Sequence, residues 1–305
     1  MSLRHVFIIN PKAGKHDSTR PLTEKITRVL SELSYKIEVT NGIGHATEIA
    51  KNLCRQTNDE IRIYACGGDG TLNEVVNGIY LSGCPKNISI GTIPTGSGND
   101  FIKSFDIPKE NFLDILKMTT AETETIDLLS VNGRASINII SVGYDAAVCE
   151  KMNLYKRIPL VSGSAAYKLA VVKCLITQTK HKFDLYADGK PVGEKNQNYL
   201  FAIAANGKYY GGGFKAAPTA DMQDGLIDFV RIITVSRFKF ASLVSGFRRG
   251  EHINYPITTL IQCKTLKIAA PEIINVNIDG EIVKIKDPEI KINPSCLKII
   301  LPKNK

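Results

Sequence analysis

Glycines surround a single aspartate directly after an apolar run of the chain. The run Ile61–Cys66 is followed by Gly67, Gly68, Asp69 and Gly70. Glycine permits positive φ angles and lets a ligand approach the backbone amides closely. A strand, a glycine turn and a helix N-terminus in that order form an anion site, because free N–H groups and the positive end of the helix dipole face the same way. We interpret this segment as the nucleotide-phosphate site of a phosphotransferase, with the charge of Asp69 offset by Mg²⁺.

The residues after Asp69 predict a helix. Thr71-x-x-Glu74 is typical of a capping box, in which two side chains satisfy the first amides of a helix, so we expect a helix over Leu72–Tyr80. Glycines after a strand also occur in plain tight turns, and a capping box by itself is common. The complete order of strand, turn and helix, together with a second loop of the same kind, favours the phosphate site.

Two further loops contain residue types that bind phosphate. Pro94–Phe101 (PTGSGNDF) follows an apolar strand, and its glycines and hydroxyls can wrap a polyphosphate or a ribose. Phe101 stands where the dinucleotide-binding fingerprint has its third glycine, so that fingerprint is absent. Asn10–Lys15 (NPKAGK) is not a Walker A loop, which requires GxxxxGK[ST]. Lys12 or Lys15 can still meet phosphate, although a loop lysine is commonly plain surface.

Two acidic turns lie in the second half of the chain. Asp221 and Asp224 stand three residues apart, a spacing that suits a hard cation and equally an unliganded turn. Asp279, Gly280 and Glu281 separate two strand-like runs, and Asp-Gly is a strong signal for a β-hairpin. Two carboxylates at that spacing would also suit a general base and its supporting partner. The residues alone leave both alternatives open at each turn.

Short strands alternate with helices in the first third of the chain. Strands are predicted at Val6–Asn10, Lys36–Thr40, Ile61–Ala65 and Ile88–Ile93, and helices at Arg20–Leu33, Ala46–Arg55, Leu72–Tyr80 and Asn111–Met118. This alternation implies βαβ units and a parallel sheet. Ligands of such sheets bind at the carboxyl ends of the strands, so the residues that follow the strands should converge. Those residues are Asn10, Thr40, Gly67 and Pro94.

The second half of the chain is richer in β-type alternation. Strands are predicted at Ser136–Val142, Lys182–Ala187, Tyr199–Ala205, Ile227–Ile233, Thr265–Ala269 and Asn275–Ile278, and helices at Ala165–Gln178 and near Phe238–Phe247. We therefore predict an α/β protein of two domains. We expect residues 1–126 to form a Rossmann-like nucleotide-binding domain completed by 287–305, and residues 127–286 to form a mainly antiparallel sandwich or barrel-like domain.

Composition excludes several classes of protein. The 305 residues are 43% hydrophobic and 23% charged, as in ordinary globular proteins, and no apolar stretch reaches transmembrane length. The seven cysteines are scattered and contain no C-x-x-C pair, which argues against a disulfide framework or a zinc site and favours a reducing cytosol. The net charge of +9 suits nucleic acid, an anionic membrane or phosphate ligands, but no nucleic-acid-binding motif is present.

Five segments of the chain together resemble the bacterial diacylglycerol kinase family, whose catalytic domain is shared by sphingosine and ceramide kinases. GGDGT alone also resembles NAD kinases and phosphofructokinases, whereas LNEVVNG and PTGSGNDF are much more specific. Family members often have Ala-Arg after Asn-Asp-Phe, where this chain has Ile102-Lys103, and lysine lacks the planar fork of arginine. The five segments, in the expected order over nearly the whole chain, are Asn10–Gly14, Gly67–Gly78, Pro94–Phe101, Gly211–Asp228 and Asp279–Glu281.

The resemblance implies an active site in the cleft between a nucleotide domain of the NAD-kinase/diacylglycerol-kinase type and a lipid-binding sandwich. It makes Glu281 the proton acceptor with Asp279 beside it, and it assigns a structural Mg²⁺ to Asp221, Asp224 and the carbonyl of Leu226. The two glycine loops add Gly67, Gly96, Ser97 and Asn99 as expected ATP contacts. The ATP contacts that the resemblance itself implies are Asn10, Pro11, Lys12, Ala13, Gly14, Thr40, Gly68, Asp69, Gly70, Thr71, Leu72, Asn73, Glu74 and Thr95.

We therefore expect an ATP-dependent kinase that transfers the γ-phosphoryl group to a lipid hydroxyl, with diacylglycerol giving phosphatidic acid. Asp69 would orient Mg²⁺, and the basic surface would hold the protein peripherally on an anionic membrane, without insertion. The alternatives are a kinase of another lipid such as phosphatidylglycerol or a sphingoid base, an NAD kinase, a non-catalytic nucleotide- or lipid-binding protein, and a nucleic-acid-binding protein. We expect a cytoplasmic protein without a signal peptide or a nucleic-acid partner, with a homodimer as one assembly open to it.

Overall fold

The structure is a computed structural model, and it describes residues 3–56, 59–155, 158, 169–171, 173–174, 177, 180–195 and 197–303. Its elements up to residue 131 are β1 (Leu3–Ile9), α1 (Thr19–Val29), β2 (Tyr35–Val39), α2 (His45–Gln56), β3 (Glu60–Gly67), α3 (Asp69–Leu81), β4 (Ile88–Pro94), a 3₁₀-helix (Phe101–Ser104), α4 (Lys109–Leu113), α5 (Ile115–Thr120) and β5 (Glu122–Val131). The later elements are β6 (Arg134–Ser136), β7 (Ile139–Gly143), α6 (Tyr144–Tyr155), β8 (His181–Lys182), β9 (Asp184–Ala187), β10 (Lys190–Pro191), β11 (Asn198–Ala205), β12 (Ile227–Ile233), α7 (Arg237–Arg249), a second 3₁₀-helix (Glu251–Asn254), β13 (Thr258–Cys263), β14 (Thr265–Ala269), β15 (Ile274–Ile278), β16 (Glu281–Ile285) and β17 (Glu289–Leu301).

Four parallel strands in the order β4-β3-β1-β2 form one end of the first sheet, with β2 at its edge. β4 is buried along its whole length and β1 from His5 onwards, because crossover helices pack on the faces of parallel sheets. The register pairs Ile9 with Cys66 and Gly67 with Pro94. The loops that follow β1, β3 and β4 therefore leave the sheet at the same edge, where the sequence predicts that ligand-binding loops converge.

The second sheet is antiparallel, in the order β13-β12-β11-β7-β15-β16. One face packs against an extension of the first sheet made of β9, β14 and the start of β17, and side chains from both layers share one apolar core. The other face packs against α6 and α7. This arrangement confirms the predicted fold class, an α/β layer with an antiparallel β-sandwich.

Strand β17 belongs to both layers. Its first half pairs with β14, and its second half lies antiparallel to β5 and parallel to β4. The register shifts between Asn293 and Leu297, and Ser295 within that interval has a φ of 51°. The amide of Ser295 donates to Asp127 Oδ1 at 2.7 Å. The first sheet is thus continuous with one layer of the sandwich, and the domain limits at 126 and 287 stay a prediction.

Several predicted elements have different limits in the structure. Helix α1 ends at Val29, and the predicted helix Asn111–Met118 is divided into α4 and α5. The division occurs because Asp114 is extended and its side chain caps α5 by accepting from the amide of Lys117. Most of the predicted helix Ala165–Gln178 lies outside the described residues. None of the helices in the described ranges is long and apolar enough to cross a bilayer.

The expectation about the cysteines was wrong in one respect. Cys84, after α3, is joined by a disulfide to Cys296 in β17. The two residues lie far apart in the chain, so a pattern of neighbouring cysteines could not indicate the pair. Cys66, Cys149, Cys174 and Cys263 are buried, as expected of small hydrophobic residues, and Cys54 is half-buried.

Candidate functional site

The glycine turn after β3 opens directly into helix α3. Gly68 is the extended N-cap residue, and the first intrahelical hydrogen bond runs from Leu72 N to Gly68 O at 3.1 Å. The amides of Asp69, Gly70 and Thr71 therefore lie ahead of the helical ladder and point out of the N-terminus. Free amides at a helix N-terminus bind anions such as phosphate. The predicted phosphate geometry is present at this turn.

The predicted capping box is wrong. The helix begins at Asp69 rather than after Thr71, and no side chain caps Gly68. Glu74 instead accepts hydrogen bonds from Gly44 N at 2.9 Å and Ala46 N at 3.2 Å, so its carboxylate caps the neighbouring helix α2. Both oxygens of Glu74 thus have partners within the protein, and its contact with ATP stays a prediction.

Three loops meet in front of the α3 N-terminus. Asn10 Nδ2 donates to Thr71 Oγ1 at 2.9 Å, which joins the loop after β1 to α3. A Cβ added to Gly96 would lie 2.3 Å from Gly68 Cα, so the loops after β3 and β4 touch backbone to backbone and only glycine fits. Thr95 Oγ1 is buried without a hydrogen-bond partner among the described residues. This unpartnered hydroxyl lies at the meeting point of the loops.

The remaining predicted nucleotide residues lie in or beside these loops. Gly14 has a φ of 80°, and a Cβ there would lie 2.5 Å from the carbonyl oxygen of Thr95. Thr40 is buried, and its amide donates to Ile9 O at the end of β1. Asn99 Nδ2 donates to Gly96 O at 2.6 Å and so closes its own loop. The other members of the predicted set, Pro11, Lys12, Ala13, Gly67, Leu72 and Ser97, belong to the same three segments.

Asp69 joins two of these loops through its carboxylate. Oδ1 accepts from Asp100 N at 2.7 Å and from Phe101 N at 3.5 Å. Burial, and next the neighbouring Asp100 carboxylate, raise the pKa of Asp69 to about 6, against the two amides that favour its charged form. Carboxyl groups whose pKa is raised by burial and by a neighbouring charge are common at functional sites. Asp69 is such a group, and it lies beside the predicted anion site.

Asp100 and Lys103 connect the nucleotide loops to the sandwich. Asp100 Oδ1 accepts from Lys103 Nζ at 2.6 Å, and Oδ2 accepts from Gly212 N at 2.7 Å. Sequence reasoning left Asp100 out of the site and treated Lys103 only as a departure from the usual arginine. The structure gives that lysine a partner in the same motif. Nothing in the spacing of the sequence could indicate the contact with Gly212, because it depends on the packing of two domains.

The LNEVVNG segment of α3 faces α2 on one side and the sandwich on the other. Asn73 Nδ2 donates to Asp279 Oδ2 at 2.9 Å. Asn77, which sequence reasoning did not single out, exchanges two hydrogen bonds with the backbone of Ala135 at 2.9 and 3.0 Å. A Cβ on Gly78 would lie 2.5 Å from the carbonyl oxygen of Thr47, so this glycine lets α2 and α3 pack closely. The two asparagines thus hold the β15–β16 turn and strand β6 against helix α3.

Asp279 and Gly280 form the turn of the β15–β16 hairpin, with φ angles of 47° and 97°. The hairpin alternative is therefore correct, but the turn has a second role. The Asp279 carboxylate accepts five hydrogen bonds, and because donors face both oxygens they fit the ionised form, although burial raises the pKa of this carboxyl. The donors are Asn73 Nδ2, Ser136 Oγ, Ile137 N, Asn138 N and Ile139 N.

Glu281 follows that turn and is much less restrained. Its only recorded polar contact within the described residues is Arg134 Nη1 at 3.2 Å, and 41% of its side chain is exposed. Burial raises its pKa, Arg134 lowers it, and the nearby Glu74 and Asp279 carboxylates raise it further. A carboxyl with a raised pKa, fixed at its backbone and open at its tip, is suited to accept a proton.

Two side chains beneath the turn fix the backbone next to Glu281. Asn277 Oδ1 accepts from Gly280 N at 2.8 Å, and Cys149 Sγ on α6 donates to Gly280 O at 3.0 Å. Asn277 is held in turn by its Nδ2, which donates to Ser141 Oγ at 3.2 Å. Such supporting contacts limit how far a catalytic side chain can stray from its productive position.

The second acidic turn directly precedes β12, at the same end of the second sheet as the Asp279 turn. Asp221 Oδ1 and Asp224 Oδ1 accept from the amides two residues ahead, as in an Asx turn. Asp228 is buried; its Oδ1 accepts from Thr219 Oγ1 at 2.8 Å, and its Oδ2 has no hydrogen-bond partner in the part of the chain described. Gln262 Nε2 donates to Asp224 Oδ2 at 3.1 Å. Burial raises the pKa of Asp224 and of Asp228, and the neighbouring carboxylates, Asp221 included, raise both further.

These oxygens fit a hard cation. Within the described ranges, no group of three or more His, Cys, Asp or Glu side chains is spaced to hold a metal. The predicted donors are however two carboxylates and one carbonyl, from Asp221, Asp224 and Leu226, and Mg²⁺ commonly completes such a set with water. The unpaired oxygen of Asp228 and the mutual repulsion around Asp224 would both be relieved by a positive charge.

Comparison with known proteins accounts for both layers. A model of the diacylglycerol kinase catalytic domain matches residues 4–131, and a model of the YegS C-terminal NAD kinase beta sandwich-like domain matches residues 138–301. The chain belongs to the bacterial diacylglycerol kinase and lipid kinase family. The resemblance found in the sequence is thereby confirmed.

Individual relatives cover nearly the whole chain. The diacylglycerol kinase of Bacillus subtilis (strain 168) is 28% identical over 98% of this chain and 96% of its own length. The diacylglycerol kinase of Mycobacterium tuberculosis (strain ATCC 25618 / H37Rv) is 27% identical over 97% of this chain and 94% of its own length. A crystal structure of a diacylglycerol kinase from Bacillus anthracis str. Sterne shares the fold, with a TM-score of 0.69 at 18% identity over 97% and 96% of the two chains.

Proposed function

We propose that the protein is an ATP-dependent kinase that transfers the γ-phosphoryl group to the free hydroxyl of diacylglycerol, giving phosphatidic acid. The observation that carries the proposal is the hydrogen bond of 2.9 Å between Asn73 and Asp279. Asn73 lies one turn along α3 from the free amides, and Asp279 forms the turn that precedes Glu281. This bond sets a phosphate-binding helix terminus beside a carboxylate with a raised pKa, which are the two parts that phosphoryl transfer to an alcohol requires.

Phosphoryl transfer depends mainly on positioning and on neutralisation of charge. The amides of Asp69, Gly70 and Thr71 would hold phosphate oxygens of ATP, and the buried hydroxyl of Thr95 would donate to the same group. Glu281 would accept the proton of the lipid hydroxyl as the oxygen attacks phosphorus. Asp279 would keep the Glu281 turn in place and remain ionised, because five donors already surround it.

Mg²⁺ would supply charge neutralisation at the phosphates and rigidity at the second acidic turn. Asp69 is the side chain suited to orient a hydrated cation at the phosphates, since burial and Asp100 make its negative charge costly without one. Asp221, Asp224 and the carbonyl of Leu226 would hold the structural cation. These assignments rest on donor chemistry and on the unpaired oxygen of Asp228.

The test is a phosphorylation assay with radiolabelled ATP and Mg²⁺ on a panel of acceptors: diacylglycerol, phosphatidylglycerol, sphingosine and NAD. Label should enter phosphatidic acid, and the Glu281→Gln variant should lose that product. Label in phosphatidylglycerol phosphate, in sphingosine phosphate or in NADP would assign another kinase on the same scaffold. ATP binding without transfer to any acceptor would contradict a catalytic role.

A further inference from the structure

The first turn of α7 exposes a large aromatic side chain. Phe238 is 92% exposed, whereas Phe240 is buried and packs edge-on against Tyr144 at a ring-centroid distance of 4.9 Å. Ser236 caps the helix by accepting from Lys239 N, so the direction of this turn is well determined. Residues two positions apart in an α-helix are about 200° apart around its axis. Phe238 therefore points away from the sandwich while Phe240 anchors the helix to it.

Basic residues surround this aromatic side chain. Arg237 and Lys239 flank Phe238, and α7 contains four basic residues and no acidic one. Arg237 and Lys180 line one open hollow of ≈ 410 Å³. Lys180 also lines a second hollow of ≈ 560 Å³ together with Lys182. The exposed lysines and the arginine thus form one continuous basic area around the two hollows.

A second exposed apolar residue borders the same area. Ile273 is 64% exposed and lines the larger hollow. Glu272 beside it is the one acidic residue among those described as lining either hollow. We call the surface made of Lys180, Lys182, Arg237, Phe238, Lys239 and Ile273 the basic end.

We propose that the basic end docks on an anionic phospholipid bilayer, with Phe238 and Ile273 inserted among the head groups. Protruding apolar residues among lysines and arginines are the chemistry of interfacial membrane binding, in which apolar burial and attraction to anionic lipid add together. Nucleic acid would use the charges and leave Phe238 and Ile273 in water. This docking rests on the proposed function, because a lipid acceptor resides in a bilayer. It goes beyond the expectation from net charge, which was peripheral contact without insertion.

The test is co-sedimentation of the purified full chain with vesicles of phosphatidylcholine, with and without about one third phosphatidylglycerol. The wild type should bind the anionic vesicles, and Phe238→Ala should lower partitioning about tenfold, the order expected for a buried aromatic side chain. Arg237→Ala and Lys239→Ala should each lower it about fivefold, and raised salt should lower it further. Because these side chains are exposed, the variants should keep the far-UV circular dichroism of the wild type.

Two matched controls come from the other end of the molecule. Leu33→Ala removes a 49% exposed apolar side chain, and Lys109→Ala removes an exposed charge, so neither should change partitioning. Equal partitioning of Phe238→Ala and Leu33→Ala would overturn the proposal, as would binding that ignores phosphatidylglycerol. A second readout is phosphorylation of a short-chain diacylglycerol dissolved as monomer, which Phe238→Ala should leave unchanged while activity on vesicles falls. If no lipid is phosphorylated, the proposed function fails, and the partitioning result still decides this inference.

Discussion

The two acidic turns of the second half of the chain treat their carboxylates in opposite ways. At Asp279 the protein supplies five hydrogen-bond donors, three of them backbone amides. At the turn of Asp221 and Asp224, the nearby Asp228 keeps one buried oxygen without a partner in the described structure, and burial together with neighbouring carboxylates raises the pKa of Asp224 and of Asp228. Where the protein supplies hydrogen-bond donors to the carboxylate, an acidic turn has a structural role. Where a buried carboxylate oxygen lacks a donor, the turn is a candidate ligand site. Glu281 and Asp69 extend the comparison, because both have raised pKa values.

The largest effect is expected at Glu281, which we assign as the proton acceptor. Glu281→Gln keeps size and hydrogen-bonding capacity but removes the base, so kcat should fall roughly 10²–10⁴-fold. The KM for ATP should stay near the wild-type value. Glu289→Gln, an exposed carboxylate at the start of β17, is the matched control. A variant with normal turnover would remove Glu281 from the mechanism.

Asp279 should affect folding before it affects chemistry. Asp279→Ala leaves five donors facing an apolar methyl group, and we expect a loss of about 3–5 kcal/mol in the free energy of unfolding. The loss should be the same with and without Mg²⁺, because protein donors and not a cation meet this charge. Urea denaturation in both conditions measures it. A loss of stability that appears only in the presence of Mg²⁺ would indicate that a cation binds beside Asp279, contrary to this prediction.

Asp69 should trade stability against activity. Its folded pKa of about 6 lies above the unfolded value of 3.8, so ionisation penalises the fold above pH 6 and the penalty disappears below pH 4. Asp69→Asn keeps an acceptor for Asp100 N. At pH 7 its free energy of unfolding should exceed that of the wild type by up to about 3 kcal/mol, since one pKa unit is ~1.4 kcal/mol. The advantage should vanish near pH 4.

The same variant should turn over about a hundredfold more slowly, because a preorganised charge at the phosphates is lost. Denaturation midpoints at several pH values and steady-state assays measure the two effects. Equal stability of wild type and Asp69→Asn at every pH would mean that ionisation of Asp69 does not destabilise the folded protein.

The smallest effect is expected at the second turn, and its sign should depend on the cation. Saturating Mg²⁺ should raise the wild-type Tm by several degrees, as expected for a ligand that binds the folded state at concentrations well above its Kd. Asp228→Asn should raise Tm in EDTA, since it removes a buried charge, and should abolish most of the response to Mg²⁺. Thermal scans with EDTA and with Mg²⁺ distinguish the cases. An unchanged Mg²⁺ response in this variant would contradict a cation beside Asp228.

Local pattern was enough to predict the α/β order, the three loops and the Asp279-Gly280 hairpin, because these depend on periodicity and turn chemistry. Local pattern failed for Glu74. A glutamate that caps its own helix and one that caps a neighbouring helix can have the same local sequence. Only the packing of α2 on α3 decides between them, and Gly78 permits that packing. The bonds between Asp100 and Gly212 and between Asn77 and Ala135 were unpredictable for the same reason, since each joins segments that lie far apart in the sequence.

Strand β17 has a consequence for how the molecule assembles. It pairs with β4 and β5 but follows the entire sandwich in the chain, so the first sheet lacks one of its inner strands until distant residues arrive. Pairing between distant segments makes folding slow, because loop-closure entropy must be overcome before the contacts form. The first sheet should therefore remain incomplete until β17 pairs with β4 and β5, and hydrogen exchange should show these three strands gaining protection together in a late step.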